Sequence, residues 1–278
     1  DKVCHFCVVP YTRGPEYSRP YKQILDEAKY LADNGAKEII LLGQNVNAYH
    51  GDQNGLAGLI RKLAKIDGLE RIRYTTSHPK NMNKELIAAH GDVPELMPYL
   101  HLPIQSGSNE ILSIMNRQHV VDDYVKVIGE LRSVRPDIAL SSDFIVGHPG
   151  ETEKDFNDTL KIIKSSHFSK IHLFPYSDRP GTSSYYFKDK IKPEIKKERM
   201  NIALKLANNE ESDYRLNVLN QKRNILWEKP LNESPTKFEG YSEDYLRVHI
   251  ESKDNLYNKI TPVILKKSDK DYIIGEIL

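Results

Sequence analysis

Hydrophobic and polar residues alternate along most of the chain in a pattern that predicts helices and buried strands in turn. Between Tyr21 and Asn34 the apolar residues recur at helical spacing, and Gly35 follows as a helix stop signal. The next run, KEIILLG, is short and almost continuously apolar, which is typical of a parallel strand buried on both faces. This stretch therefore predicts a helix followed by a strand.

Further helix–strand pairs follow at similar spacing. The predicted helices cover residues 56–66, 84–89, 111–132 and 153–164. The predicted strands lie at RIRYTT, YLHLPI, IALSSDFIVG and KIHLFPYS. Strands separated by helices form right-handed β–α units, so we expect an α/β fold with a parallel sheet that closes, or nearly closes, into a barrel. The functional residues of such barrels lie at the carboxyl ends of the strands.

The pattern changes after a charged helix that is predicted over residues 194–215. The segments RNILWEK, DYLRVHIES, KITPVILKKS and DYIIGEIL alternate apolar and polar residues and are separated by Asn, Pro and Gly. That period is typical of short antiparallel strands, which together predict a small antiparallel β-barrel. We therefore expect two domains, at residues 1–215 and 216–278.

Charge and hydropathy bear on whether the protein binds nucleic acid or is associated with a membrane. The 278 residues include 40 Lys and Arg against 39 Asp and Glu, so nucleic-acid binding would depend on local patches rather than on a basic face. No apolar run approaches the ~18 residues of a membrane span, and the first residues do not resemble a signal peptide. We expect a cytoplasmic protein. Because the sequence does not begin with Met, we do not expect Asp1 to be the native start.

Both cysteines of the chain, Cys4 and Cys7, lie in the stretch DKVCHFC. Two cysteines cannot form a disulfide framework, and a C-x-x-C pair in a reducing compartment indicates a metal or redox half-site. Half of a zinc site, a thioredoxin-like redox pair and half of an iron–sulfur site all fit this spacing. The spacing by itself does not choose among them.

The segment CHFCVVPYTRG resembles the cluster loop of radical S-adenosylmethionine (SAM) enzymes, C-x-x-x-C-x-x-C, with Phe6 as the aromatic residue before the last Cys. In that superfamily three thiolates hold a 4Fe-4S cluster and the fourth iron binds SAM. Up to Thr182 the chain is similar to the tRNA methylthiotransferases, above all the MiaB family, and the small barrel resembles their TRAM domain. The segments that carry this resemblance are CVVPYTRGPEYSRP, LLGQNVNAYHG, RIRYTTSHP, MPYLHLPIQSGS, MNR, SSDFIVGHPGETEKDF and PYSDRPGT.

The resemblance implies a radical SAM partial (β/α) barrel without its first strand, followed by a TRAM-like RNA-binding barrel. It implies that reductive cleavage of SAM gives a 5′-deoxyadenosyl radical, and that a methylthio group is added to C2 of N6-isopentenyladenosine next to the anticodon. The implied partners are the tRNA anticodon stem-loop, an electron donor such as flavodoxin or ferredoxin, and a sulfur donor of unknown identity. The family also carries an N-terminal domain with a second 4Fe-4S cluster, and its first cluster Cys would directly precede Asp1. We therefore expect this chain by itself to be inactive.

The resemblance also implies roles for individual residues, none of them a catalytic side chain. The metal ligands are Cys4 and Cys7, and Gly43, Gln44 and Asn45 lie where the superfamily meets the amino group of SAM. Gln105 and Ser106 are candidates for the SAM ribose or carboxylate, and Gly147 for room beside the adenine or ribose; a simple turn also accounts for each Gly and Asn. Thr152 is expected to cap a helix, and His78 and His101 to be structural. The candidate RNA contacts are Tyr11, Arg13, Arg19, Arg179, Trp227, Tyr241, Tyr245 and Arg247.

Other functions remain open at this point. Within the same chemistry they are methylthiolation of threonylcarbamoyladenosine in tRNA and of an aspartate in a ribosomal protein. A different class is a non-enzymatic RNA-binding protein that uses a zinc-bound C-x-x-C, and an inactive copy of the enzyme is a further alternative. Residues 216–278 contain ten Lys and Arg and ten Asp and Glu, so charge gives no support for RNA binding by the small barrel.

Overall fold

The computed structural model of the chain describes residues 3–231 and 234–278. Asp1, on which the expectation about the start of the chain depends, lies outside the described residues. Helices alternate with strands up to residue 192, as the hydrophobic pattern predicts. The helices are α1 (Val9–Arg13), α2 (Tyr21–Asp33), α3 (Gly55–Leu63), α4 (Lys84–Asp92), α5 (Asn109–Ile114), α6 (Val121–Val134), α7 (Glu153–Ser165) and α8 (Pro193–Asn217).

Parallel strands form an open arc, which is the partial (β/α) barrel that the sequence predicts. The strands of the arc are β1 (Glu38–Leu41), β2 (Arg71–Tyr74), β3 (Tyr99–His101), β4 (Ala139–Val146) and β5 (Lys170–Pro175). β1 pairs with β2, and β4 pairs with both β3 and β5. A bridge between Ile72 and Leu96 joins the two sheets. Within the described residues the arc does not close, because β1 and β5 each pair on one side only.

The two faces of the arc differ in polarity because successive strand residues point to opposite sides. Leu100 and Phe144 are buried in the main core, which the strands share with the covering helices. Their neighbours His101 and Asp143 instead line a cavity on the other face. The arc therefore turns an apolar face to the helices and a polar face to its interior.

Two predictions about the arc are wrong. The strand in KEIILLG is not buried on both faces, because β1 is an edge strand and Leu42 after it is 76% exposed. The helix predicted over residues 111–132 is broken between α5 and α6. Asn116 and Gln118 have φ values of 58° and 56°, and this left-handed conformation cannot continue a helix.

A closed small barrel follows α8, which ends at Asn217, and its strand order is β10-β8-β7-β6-β9. Its strands are β6 (Lys222–Pro230), β7 (Lys237–Tyr241), β8 (Arg247–Glu251), β9 (Ile260–Ser268) and β10 (Ile273–Ile277). The expectation of a purely antiparallel barrel is corrected in one place, since β8 and β10 pair in parallel. Alternation of residues reveals a strand but not its direction.

The hydrophobic pattern did not predict β7, whose sequence is KFEGY. Gly240 interrupts the alternation there, and the structure shows why a glycine is needed. A Cβ at this position would lie 2.5 Å from the carbonyl oxygen of Leu226 and 2.8 Å from the ring of Trp227. The glycine thus allows β6 and β7 to approach each other closely.

The small barrel closes the amino-terminal end of the arc. Arg71 and Arg73 of β2 are buried and donate hydrogen bonds at 2.8–2.9 Å to backbone carbonyls in the loop 241–245. In the same loop the ring of Tyr245 lies 4.9 Å from that of Tyr99. We call this contact between the small barrel and the amino-terminal ends of the strands the lower interface.

Among the described helices, none has the length and apolar character needed to cross a membrane.

Candidate functional site

A cavity of about 260 Å³ lies beside the carboxyl ends of β2 and β3, which is where the barrel architecture predicts a site. We call it the thiol cavity. Gly43 lies in an adjoining cleft of about 600 Å³, whose wall also includes part of the loop after β1. The predicted site residues that line the thiol cavity are Cys4, Cys7, Gln44, Asn45 and Gln105.

The loop that carries the two cysteines is held by backbone hydrogen bonds. The amide of Cys7 donates to the carbonyl of Cys4 at 3.1 Å, which closes a turn between them. His5 anchors this turn, because its amide donates to the carbonyl of Met115 and its carbonyl accepts from the amide of Ser184. The loop is therefore attached both to the segment after α5 and to the segment after β5.

Arg117 brings a positive charge to the thiols, and it is not among the residues that the sequence predicts for the site. Its Nη1 lies 3.6 Å from the sulfur of Cys4, and its Nη2 donates to the carbonyl of Pro103 at 2.6 Å. Arg117 occupies the break between α5 and α6, so the irregular backbone there has a consequence for the site. The available signal was the segment MNR, whose Arg has no structural role that the pattern of apolar residues can explain.

The two thiols are free and differ in burial, Cys4 being buried and Cys7 half-buried. Burial raises the pKa of the Cys7 thiol, and the nearby Cys4 raises it further, whereas Arg117 lowers it. The thiol cavity therefore favours the neutral form of Cys7 until a positive partner, such as a metal ion, offsets the cost of burying a thiolate.

Two residues of the thiol cavity have strained backbones. Thr76 has a φ of 66° and Gln105 a φ of 81°, in the left-handed region that side chains with a Cβ rarely adopt. The amide of Gln105 donates to the carbonyl of Asp143 at 2.9 Å, so the neighbouring strand holds this conformation. Such strain is typical of residues that are positioned for binding.

Asn45 presents an acceptor that the protein does not use. Its Nδ2 donates to Asn81 Oδ1 at 3.3 Å. Its own Oδ1 is buried, and no hydrogen bond reaches it from residues 3–231 or 234–278. A buried acceptor without a donor is costly, so this atom suits a bound ligand with an N–H or O–H group.

Ser106 and Gly147, predicted for the same site, do not line the thiol cavity. The Ser106 hydroxyl is buried, lies 3.3 Å from that of Thr159, and accepts from the amide of Ser108. Gly147 has a φ of 77°, and a Cβ there would lie 2.6 Å from Cγ of Lys196. The room in front of Gly147 is therefore taken by a side chain of α8.

The turn after Gly147 is fastened to α8 by a buried ion pair. Arg199 Nη1 lies 2.7 Å from Glu151 Oε1, and the same carboxylate accepts from the amide of Gly147 at 3.1 Å. Thr152 caps α7 as predicted, because its hydroxyl accepts from the amide of Asp155. These contacts give the GHPGET segment a structural explanation.

The candidate RNA contacts fall into two groups. Tyr11, Arg13 and Arg179 are exposed, and Arg19 is exposed but paired with Glu27 at 2.7 Å. These residues remain open to a ligand. They lie in the segments 11–19 and 177–182, outside the regular elements of the arc apart from α1.

The candidates of the small barrel differ in exposure. Trp227 is corrected, because it is 1% exposed in the barrel core and its Nε1 donates to the hydroxyl of Thr261 at 2.7 Å. Tyr241 and Tyr245 stack on each other at the lower interface, with ring centroids 5.0 Å apart. Arg247 is half-exposed and lies 3.6 Å from Glu239.

Comparison with known proteins places the chain in a family. A family model of the Radical SAM superfamily matches residues 2–163. The chain is 45% identical over its whole length to tRNA-2-methylthio-N(6)-dimethylallyladenosine synthase of Jannaschia sp. (strain CCS1), covering 61% of that protein. It is 53% identical over 82% of its length to the protein of that name in Zymomonas mobilis subsp. mobilis, of which it covers 53%. The chain thus spans between half and two thirds of the length of these relatives.

Solved structures share the fold at low sequence identity. Coproporphyrinogen III oxidase from Escherichia coli, which is described as a radical SAM enzyme, aligns over 100% of this chain and 69% of its own, at a TM-score of 0.58 and 12% identity. The radical S-adenosylmethionine methyltransferase TsrM from Kitasatospora setae aligns over 66% of this chain and 36% of its own, at a TM-score of 0.56 and 17% identity. With more than half of its residues matched by the family model and this fold, the chain belongs to the radical SAM superfamily.

Proposed function

We propose that this chain is the cofactor-binding part of a tRNA methylthiotransferase that acts on C2 of N6-isopentenyladenosine next to the anticodon. The observation that carries the proposal is the identity of 45% over the whole chain to a relative named for this reaction. The alternatives, which act on threonylcarbamoyladenosine or on a ribosomal protein, have no such support among the relatives compared above. Because this chain spans only part of the length of these relatives, the proposed reaction is that of a whole protein of their kind.

The residues around the thiol cavity fit an iron–sulfur cluster. Cys4 and Cys7 supply two thiols to one cavity, and Arg117 beside Cys4 would offset part of the negative charge of thiolate ligands. When bound with SAM, a 4Fe-4S cluster of this superfamily supplies the electron that cleaves SAM to a 5′-deoxyadenosyl radical.

The amide side chains of the thiol cavity fit the polar groups of SAM. Gln44, Asn45 and Gln105 can each donate and accept hydrogen bonds, as an amino group and a carboxylate require. The buried Oδ1 of Asn45 is the acceptor best prepared for an ammonium group. Gly43 borders the same space, whereas Ser106 and Gly147 have contacts that favour a structural role.

The exposed residues of the segments 11–19 and 177–182 are the proposed tRNA contacts. Tyr11 can stack on a base, while Arg13 and Arg179 suit phosphate groups. We propose a cytoplasmic protein that takes electrons from a flavodoxin or ferredoxin. The division into a radical SAM core at residues 1–215 and a TRAM-like domain at residues 216–278 also remains our proposal.

Deletion of the gene, followed by mass spectrometry of tRNA nucleosides, tests the function. We expect isopentenyladenosine to accumulate without its methylthio group and the native gene to restore it. Unchanged methylthiolation of isopentenyladenosine would contradict the proposal, and loss from threonylcarbamoyladenosine instead would favour the first alternative. Stoichiometric zinc without iron, after anaerobic purification of the whole protein, would favour the non-enzymatic alternative.

Complementation of the deletion strain with variants tests the site. Cys4→Ala and Cys7→Ala should each abolish methylthiolation. Gln105→Ala should lower it by about 10-fold or more, because a buried polar group of a ligand would lose its partner. Gln53→Ala is the matched control, since Gln53 is exposed and lies outside the thiol cavity. Equal activity of the Gln105 and Gln53 variants would remove Gln105 from the site.

A further inference from the structure

Three ligand-type side chains meet on the polar face of the arc. His101 lies on β3, Asp143 on β4 and His172 on β5, so three adjacent strands contribute one group each. One ligand atom of each lies within 4.8 Å of the other two. His101 and Asp143 line the thiol cavity, but none of the three side chains is among the proposed cluster or SAM ligands. Their convergence therefore calls for a separate explanation.

We propose that His101, Asp143 and His172 bind a divalent transition-metal ion of the Zn²⁺ or Fe²⁺ type. Two imidazole nitrogens and one carboxylate oxygen are a donor set that such ions prefer over Mg²⁺ or Ca²⁺. The inference does not depend on the proposed methylthiotransferase function, because neither cysteine takes part.

The distances suit a metal ion after a small adjustment. His101 Nε2 lies 3.5 Å from Asp143 Oδ2. Ligands at about 2.0–2.1 Å from a tetrahedral ion are about 3.3 Å apart. The first two groups therefore already have the spacing of metal ligands. His172 is the exposed member of the group, so its ring is free to move closer.

The register of the strands explains why the three groups share one face. Asp143 pairs directly with His172, and His101 pairs with Ser141, two residues before Asp143. Because residues two apart on a strand point to the same side, all three side chains lie on one face of the sheet. Strands hold side chains more rigidly than loops do, which favours a preformed site.

A hydrogen-bonded chain orients the first ligand. His101 Nδ1 lies 2.8 Å from the hydroxyl of Ser141, and that hydroxyl lies 2.8 Å from the hydroxyl of Tyr99. If Nδ1–H donates to Ser141, Nε2 carries the lone pair and faces Asp143. Metal-binding histidines are typically held in this way by their second nitrogen.

The carboxylate of Asp143 is also available to bind a metal ion. Within the described ranges no lysine or arginine pairs with it, and its neighbour at 3.5 Å is the imidazole of His101. Lys170, the one lysine of β5, is bonded to Glu211 at 2.9 Å. His101 and Asp143 line the thiol cavity, so an open position of the ion would face the space shared with the cysteines. A ligand in that cavity could then complete its coordination.

Equilibrium dialysis against Zn²⁺, with metal analysis of the full chain, tests the site. The Cys4→Ser/Cys7→Ser variant removes the thiols, which are the obvious competing ligands. We expect this variant to retain one equivalent of Zn²⁺. Introducing Asp143→Asn into it should weaken binding by about 100-fold, and Ser141→Ala should weaken it by about 10-fold through loss of orientation.

His249→Gln is the matched control, because His249 also bonds a carboxylate, that of Glu239 at 2.7 Å, but no third ligand joins them among residues 3–231 and 234–278. This change should leave Zn²⁺ binding unaltered. A Co²⁺ absorption spectrum gives a second measurement that does not depend on the variants folding. In the unaltered chain loaded with two equivalents, it should contain bands of a nitrogen- and oxygen-bound ion besides any thiolate bands.

Three results would overturn the proposal. They are failure of the cysteine-free chain to retain Zn²⁺, equal retention by its Asp143→Asn derivative, and Co²⁺ bands from thiolate ligation alone. Circular dichroism of each variant before dialysis identifies any that is unfolded. If the Asp143→Asn variant is unfolded, His172→Asn takes its place in the comparison. The same loss of Zn²⁺ binding is expected from it.

Discussion

The two ends of the parallel strands are built in opposite ways. At the lower interface the charged groups of Arg71 and Arg73 are buried and satisfied by backbone carbonyls of the small barrel. At the thiol cavity Asn45 keeps a buried acceptor without a donor in the described chain, and Thr76 and Gln105 have left-handed backbones. At the lower interface the buried polar groups have their partners within the protein, whereas the thiol cavity is prepared for a ligand.

The difference teaches how to separate structural polar residues from binding ones. Both ends contain buried polar groups, so burial alone does not mark a site. At the lower interface each group has protein partners at hydrogen-bond distance, and its removal should cost stability. At the thiol cavity some groups are strained or lack a partner. Their removal should weaken binding of a ligand and raise the free energy of unfolding.

The largest expected effect is at the lower interface. Arg73→Met removes the cation that lies 3.0 Å from Glu38, so that Glu38 keeps only Arg71 at 3.9 Å, and it leaves two backbone carbonyls without their donor. We expect the free energy of unfolding, measured with denaturant, to fall by about 3–5 kcal/mol. Arg61→Met is the control, since its pair with Asp92 is partly exposed and is worth about 1 kcal/mol or less. Equal losses in the two variants would contradict the comparison.

A smaller loss is expected at Gly147, beside α8. Gly147→Ala introduces a Cβ at a φ of 77° and against Lys196, so stability should fall by about 1–3 kcal/mol. In Lys196→Ala the clash is absent, and the same glycine change should cost less. A cycle of these variants measures the coupling in denaturant unfolding. No coupling would return Gly147 to the list of cofactor contacts.

Acid should lower the stability of the fold, because two histidines near the carboxyl ends of the strands are buried in their neutral form. Burial, the main cause, lowers the pKa of His119 to about 4 and that of His148 to about 4. Between these values and the ordinary pKa near 6.5 the unfolded chain binds more protons. Stability is therefore complete above pH 6.5 and is lost as the pH falls toward 4, by at most about 1.4 kcal/mol per pH unit for each histidine.

Denaturant unfolding at pH 7 and pH 5 measures this loss. His148→Gln should reduce the difference between the two pH values, because the glutamine does not titrate. An exposed histidine gives the control, and His167→Gln should leave the difference unchanged. A difference between the two pH values that is as large in His148→Gln as in the unaltered chain would place the acid-sensitive groups elsewhere.

The smallest effect has the opposite sign. Thr76→Gly relieves a left-handed backbone in the thiol cavity and should raise stability by up to about 1 kcal/mol. Its neighbour supplies the control, because Thr75 is not left-handed and Thr75→Gly should lower stability by about 1 kcal/mol. Thermal unfolding of both variants checks the signs. A loss at both positions would mean that Thr76 stores no strain.

Much of the arc could be predicted because each of its elements has a local signal. The period of apolar residues located β2, β3, β4 and β5 close to their observed bounds, and Thr152 was recognisable as a helix cap. The break between α5 and α6 was not predicted, since its apolar residues keep helical spacing while the backbone at Asn116 turns left-handed. A local pattern does not show which backbone conformation the tertiary contacts select.

The candidate site was predictable in part for the same reason. Cys4, Cys7 and the amides of Gln44 and Asn45 stand out as residue types at the ends of elements. Arg117 does not, because its approach to Cys4 joins residues 113 positions apart. Trp227 was misjudged, since an aromatic residue on a predicted strand suits either a core or a stacking surface.

The sequence by itself determined the order of helices and strands, the superfamily resemblance and the segments that border the cavity, because these follow from local residue types and spacing. Only the tertiary structure decided that Gly147 packs on Lys196, that the small barrel closes the lower end, and that His101, Asp143 and His172 meet. Each of these depends on the register and curvature of strands that are distant in sequence. Those are set by packing of the whole chain and leave no local mark.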